Sequence, residues 1–190
     1  VQKGQINSAR DRILEMIKGS EGNGGVETDS NTAIGDYSSI AGGRRNKATG
    51  EGSVIGGGFS NTTSSVYAMV GGGYSNTTSG QYAMVGGGYS NTAGGAKATI
   101  GGGYNNIASG IYAVIGGGYT NTAGGDIATI GGGEVNSASG NRAFVGGGKY
   151  NKARGLYSVV SGGGGGVEAD SNSAIGDYSS IGGGYRNKAT

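Results

Sequence analysis

GGGYSNTTSGQYAMV, residues 71–85, is followed by GGGYSNTAGGAKATI at 86–100, GGGYNNIASGIYAVI at 101–115 and GGGYTNTAGGDIATI at 116–130. The period is fifteen residues. The same frame runs back through blocks beginning at Val26, Ala41 and Gly56, and forward through blocks beginning at Gly131 and Gly146. The hexapeptide SGGGGG at 161–166 interrupts it, and it resumes at Val167 and continues from Gly182 to Thr190. A short fixed period sustained over most of a chain is the signature of a solenoid. Each repeat is one coil that cannot bury its apolar face alone and does so against its neighbours.

Aligned as columns one to fifteen, the blocks separate into structural roles. Column six is Asn in every copy: Asn31, Asn46, Asn61, Asn76, Asn91, Asn106, Asn121, Asn136, Asn151, Asn172 and Asn187. Asn tolerates the left-handed backbone region, bonds its own main chain in turns and can stack into a ladder, so column six is expected to be a corner. Column ten is Gly in every complete copy except at Ser65 and is expected to be a second corner with positive φ. Column eight is Ala in most copies and Thr at Thr63 and Thr78; column thirteen is small, as in Ala83 and Ser158; column fifteen is always Ile or Val. Positions two apart on a strand share a face, so columns eleven to fifteen predict one strand with an apolar inner side. Columns five to nine predict a second, more polar strand whose inner residue is column eight.

Composition read without the period points to a flexible low-complexity chain: 48 of 190 residues are Gly and 7% are aromatic. The strict phase argues for order instead. Cys, Pro and His are absent, which removes a disulfide framework, Cys-based metal sites and the usual proton shuttle. A formal charge of +2 is too small to suggest nucleic acid, and no apolar run reaches membrane-spanning length, so neither partner is expected. Between Gly56 and Ile130 the only charged residues are Lys97 and Asp126, so that surface is kept in solution by Asn, Ser, Thr and Tyr. Such a neutral surface suits another fibre, glycans or ordered water better than an electrostatic partner. No carboxylate pair recurs in a setting that would separate two pKa values, and Gly-Gly-Gly before Tyr does not open a helix as a phosphate-binding turn must. Neither catalysis, a cofactor nor a metal is expected.

Residues 1–19 stand outside the repeat. Ser8 with Asp11, the apolar Ile13, Leu14, Met16 and Ile17, and Lys18–Gly19 predict a short helix over Ala9 to Lys18 that caps the end of the solenoid. The organisation expected is therefore a helical cap at 1–19, a Gly-rich junction at 20–25, nine coils at 26–160, a Gly-rich insert at 161–166 and the start of a further unit at 167–190. Ser20 to Thr49 matches Ser161 to Thr190 at an offset of 141 positions, including both hexapeptides, which points to a longer fibre built from such units.

Three columns carry the functional expectations. Column four holds Phe59, Tyr74, Tyr89, Tyr104 and Tyr119 in successive coils, which should stack in a line and form a candidate ligand-binding row. Column fourteen is often apolar, with Met69, Met84, Val114, Phe144 and Val159, although it should face away from the core. One aliphatic side chain per coil is little set against the entropy of ordering fifteen residues, so column fourteen is expected to be an oligomer seam. Column seven places Thr32, Thr62, Thr77, Thr92 and Thr122 in one row, interrupted by Lys47, Ile107 and Lys152; a flat Thr array of this kind can match ordered water and suggests ice binding as an alternative.

The run ATIGGGYNNIASG from Ala98 and the run AIGDYSSIAGG from Ala33 resemble the head repeats of trimeric autotransporter adhesins. Similar Gly-Gly-Gly and Asn-x-Ala-Ser-Gly repeats occur in phage tail fibres. The resemblance covers residues 26–190 and implies a left-handed parallel β-roll, three chains side by side, and a head that binds host matrix or surfaces. The fold class expected is thus all-β, a parallel β-solenoid or β-roll of fifteen-residue coils, trimeric, with a short N-terminal α-helical cap. The function expected is that of a non-enzymatic extracellular fibre on a cell or virion surface, either adhesive head or shaft. Its expected partners are further copies of itself and a glycan or host-surface receptor, with a self-assembling filament subunit as the alternative.

Overall fold

The computed structural model describes residues 29–190. From Asn31 onward, successive repeats form the coils of an all-β parallel solenoid. Each regular coil carries two strands of two residues, Thr77–Thr78 at columns seven and eight and Met84–Val85 at columns fourteen and fifteen of the quoted block. The first kind stack into an eleven-stranded sheet and the second into a ten-stranded sheet. Pairing is parallel and one period apart, Thr62↔Thr77↔Thr92 on the first sheet and Met69↔Met84↔Thr99 on the second. Each column of the sequence therefore becomes a row along the stack, at the spacing of neighbouring strands.

Within a coil the backbone follows nearly the same path twice, seven positions apart. Ser75 and Tyr82 have φ of 54° and 58°. The residues after them, Asn76 and Ala83, turn inward; Thr77 and Met84 then face outward, and Thr78 and Val85 inward. All four inward residues are completely buried, and the pattern repeats through the stack to give a core of Ile, Val and Ala with one line of Asn. Seven positions twice leave one residue over. That residue makes the corner of columns one to six longer than the corner of columns ten to thirteen.

The two corners are closed by different chemistry. In the short one the Ala83 N–H donates to the Gly80 carbonyl at 3.1 Å, and the same bond recurs at Ala98 to Gly95 and Ala113 to Gly110. In the long one the Asn side chain takes this role. Asn76 Nδ2 donates to the Gly72 carbonyl of its own coil at 3.0 Å and to the Gly88 carbonyl of the next at 2.9 Å, and lies 3.2 Å from Asn61 Oδ1. The Asn76 backbone N–H donates to Asn61 Oδ1 at 2.9 Å. A buried carbonyl without a donor is costly, and Asn alone supplies both an amide donor and an acceptor at that reach. The strictness of column six follows.

The sequence expectation of five-residue strands is corrected: each strand has two residues, because positive φ at columns five and twelve turns the chain just ahead of them. The left-handed residues were also expected at columns six and ten. They lie instead at the column-three glycines, such as Gly88 at 91°, and at columns five and twelve, there on residues as unsuited to that region as Ile127 at 59° and Val135 at 54°. Column ten is Gly for a different reason. A Cβ built on Gly95 would lie 2.0 Å from the Gly110 carbonyl oxygen of the next coil, so a side chain at this column requires the backbone to shift; Ser65 alone carries one. Column two shows the opposite case: a Cβ on Gly87 or Gly102 would find nothing nearer than 3.9 Å.

The stack continues across the interruption, with Lys152 in register with Ser173 and Val159 with Ser180. Asn172 Nδ2 donates to the Gly162 carbonyl at 3.1 Å and to the Gly184 carbonyl at 2.7 Å, as a ladder Asn does. Ser161 to Gly163 therefore fill columns one to three, and the extra residues bulge out after them, through the 3-10 turn Glu168–Asp170. The expected cap helix, Ala9 to Lys18, and the junction at 20–25 lie outside the described residues.

Candidate functional site

The column-four residues come together as one continuous stack. Ring centroids are 5.2 Å apart for Phe59–Tyr74, 4.8 Å for Tyr74–Tyr89, and 5.0 Å for both Tyr89–Tyr104 and Tyr104–Tyr119. The four planes from Tyr74 to Tyr119 lie within 9° of their neighbours. Single-residue bridges between coils hold the backbone beneath them: the Tyr89 N–H donates to the Gly103 carbonyl, and the Asn105 N–H donates to the Tyr89 carbonyl, both at 2.9 Å. With side-chain origins fixed at the strand spacing, offset stacking is the favourable arrangement of the rings.

Charged groups bound the stack. The guanidinium carbons of Arg45 and Arg44 lie 5.2 and 5.8 Å from the Phe59 ring centroid. At the other end the column continues as Glu134 and Lys149, which form an ion pair at 2.8 Å. The hydrogen bond from Lys149 to the Glu134 carboxylate raises the ammonium above its ordinary pKa. Between these ends Tyr74, Tyr89, Tyr104 and Tyr119 are 42–50% exposed.

A second aromatic column stands at position twelve, where Lys97, Ile127 and Arg142 interrupt a row of Tyr. Tyr67 stacks on Tyr82 at 5.5 Å and Tyr157 on Tyr178 at 5.2 Å, the latter pair across the bulge. The residues that interrupt it join in: Lys97 donates to Tyr112 Oη at 2.7 Å, which raises the Lys97 pKa, and Arg142 lies 5.1 Å from the Tyr157 ring centroid. The signal for the Tyr157–Tyr178 pair was the shared column, once the six extra residues are counted out.

Column fourteen forms the outward row of the second sheet. Met69, Val114 and Phe144 are each close to 40% exposed, and Met84 and Val159 are half-buried. Ladder register brings all five expected seam residues into one line, with Thr99 and Thr129 between them. Column seven is the outward row of the first sheet. There Thr62, Thr77 and Thr92 are adjacent, Ile107 follows, and Thr122 and Ser137 complete a run bounded by Lys47 and Lys152.

Among the described residues no cluster of potential metal ligands occurs, and no helix is long and apolar enough to cross a membrane. Two further ion pairs tie the bulge to neighbouring coils: Lys152 with Glu168, whose carboxyl is held below its usual pKa by that ammonium, and Arg186 with Asp170 at 2.7 Å. No protein-family model matches the chain, and no curated protein matches it in sequence.

Proposed function

We propose that this chain is a segment of a non-enzymatic extracellular fibre, an adhesive head or shaft whose solenoids associate side by side as a homotrimer. The observation that carries the reading is the outward row of the second sheet: Val54, Met69, Met84, Val114, Phe144 and Val159 present apolar side chains to solvent along nearly the whole stack. A row that is apolar and at least partly exposed in six of eight successive coils, with Thr99 and Thr129 between, favours association. From Val54 to Val159 it crosses eight strands, about 34 Å at the usual spacing. Small inward residues leave each coil a thin core, which the shared face would supplement.

Sedimentation equilibrium with circular dichroism at several concentrations tests it. A β-rich trimer that dissociates on Met84→Lys with Val114→Lys is expected, and a stable monomer across the micromolar range would contradict it. Growth of the unaltered chain into long species would instead favour the filament reading. That alternative rests on the matched segments 20–49 and 161–190, which carry the same coil sequence at two levels of the chain. The register of Thr62, Thr77 and Thr92 favours ice binding as a further reading, and thermal hysteresis at millimolar protein is its measurement.

A further inference from the structure

The Tyr stack is the surface feature that the packing of a single chain explains least. Its rings are parallel and about one strand spacing apart, so each inner ring has both faces covered by its neighbours. What remains exposed is the ring edge and the hydroxyl. The stack therefore offers no flat face on which a sugar could lie, and the simple platform reading of an aromatic row does not apply to Tyr74, Tyr89 and Tyr104.

The hydroxyls form a ruler. None of the four phenols of Tyr74, Tyr89, Tyr104 and Tyr119 has a hydrogen-bond partner among the described residues. With centroids 4.8–5.0 Å apart and planes nearly parallel, the hydroxyls form a row along the stack at about the strand spacing. Each can donate one hydrogen bond and accept another. The residue after each Tyr is also polar and held with positive φ, as at Ser75, Ser90, Asn105 and Thr120. No charged residue occurs in columns four or five from Phe59 to Thr120. The stacked rings have already lost their rotamer freedom, so a ligand would not have to order them.

We infer that this row is a binding site for an extended, neutral, β-1,4-linked polysaccharide lying along the stack, one sugar per coil. Such a chain is straight and advances by about 5 Å per sugar, close to the strand spacing; each sugar is turned over relative to the last, so one edge offers its 2,3-hydroxyls and its 6-hydroxymethyl group in alternation, one set to each successive phenol. An α-1,4-linked chain curls and loses register after one or two contacts. The phenols span about 15 Å from Tyr74 to Tyr119 at that spacing, which limits a bound chain to about four sugars; beyond them lie Phe59 with the Arg pair at one end and the Glu134–Lys149 pair at the other. This deepens the adhesive reading and rests on it only for biological context, because the site lies within one chain.

Isothermal titration of the full chain with cello-oligosaccharides from disaccharide to hexasaccharide tests the inference, with malto-oligosaccharides as the curled comparison. Affinity should climb with each sugar to about the tetrasaccharide and then level off, with maltohexaose at least about tenfold weaker. Tyr89→Phe with Tyr104→Phe keeps the stack, since Phe59 already occupies this column, and should weaken cellohexaose about tenfold or more. Tyr82→Phe, in the other aromatic column, should leave binding unchanged. Absence of binding, equal binding of both linkages, no dependence on length, or full binding by the double Phe variant would each overturn it. Sedimentation of the same samples separates this failure from failure of the fibre reading: a trimer that ignores cello-oligosaccharides removes the site and keeps the fibre.

Discussion

The two halves of each coil share a backbone path and solve its corner differently. Columns ten to thirteen close with a main-chain bond, as from Ala83 to Gly80, and any small residue can then turn inward, Ala83 in one coil and Ser158 in another. Columns one to six have one residue more, and the carbonyls at Gly72 and Gly88 are reached only by the Asn76 side chain. A strict column in a repeat thus marks the place where the backbone cannot satisfy itself. A variable one marks where it can.

The sharpest way to break this comparison is with glycine. Gly95→Ala sets a Cβ 2.0 Å from a carbonyl oxygen of the next coil and should cost about 3–4 kcal/mol. Gly102→Ala, with 3.9 Å to its nearest neighbour, should stay within about 0.5 kcal/mol. Chemical denaturation of both variants measures the contrast, and similar losses would show that stacking does not select these glycines. Next in size is the ladder itself. Asn91→Ala removes the acceptor for the Asn106 N–H and Nδ2 and the donor to the Gly87 and Gly103 carbonyls. It should cost about 3 kcal/mol. The truncation at the matching place in the other half, Ala98→Gly, should cost about 1 kcal/mol, and amide exchange in the flanking coils would localise both.

Thr63 and Thr78 sharpen the comparison inside the core. Both stand where most coils have Ala. Thr63 Oγ1 is 3.0 Å from Ser53 Oγ, whereas Thr78 Oγ1 is buried without a partner. Thr78→Ala should therefore be neutral or stabilising, while Thr63→Ala strands the Ser53 hydroxyl and should cost about 1 kcal/mol. A loss at Thr78 equal to that at Thr63 would contradict the assignment. The smallest effect is at the bulge. The Glu168 pKa is lowered by Lys152, so the stability this pair adds is present above the carboxyl's unfolded range and is lost as pH falls through its folded pKa. Both partners are surface groups, so the change should appear as faster exchange around 164–171 in acid, and Lys152→Met should abolish the difference.

Much of this was legible from the period. The coil stack, the parallel register, the inward columns eight, thirteen and fifteen, the outward column fourteen and the aromatic line all follow from counting by fifteen. What the residue types hid was the backbone. Positive φ falls on Ser75, Tyr82, Lys97 and Ile127, none of which signals it, because stacking between coils overrides local preference. Asn76 and Gly95, which do signal a left-handed turn, serve side-chain bonding and close approach instead. The covered ring faces of the Tyr stack were equally out of reach, since spacing gives the line but not the tilt of its rings.

The central claim is that the carboxamides of column six are structural donors buried between coils. Hydrogen exchange of Asn side-chain amides, followed by NMR on chain labelled at Asn, tests it most directly. Asn61, Asn76, Asn91, Asn106, Asn121 and Asn136 should exchange far more slowly than Asn105 and Asn141, which stand in other columns on the surface. Exchange of the six at the rate of Asn105 would show that the long corner is held by something other than the ladder.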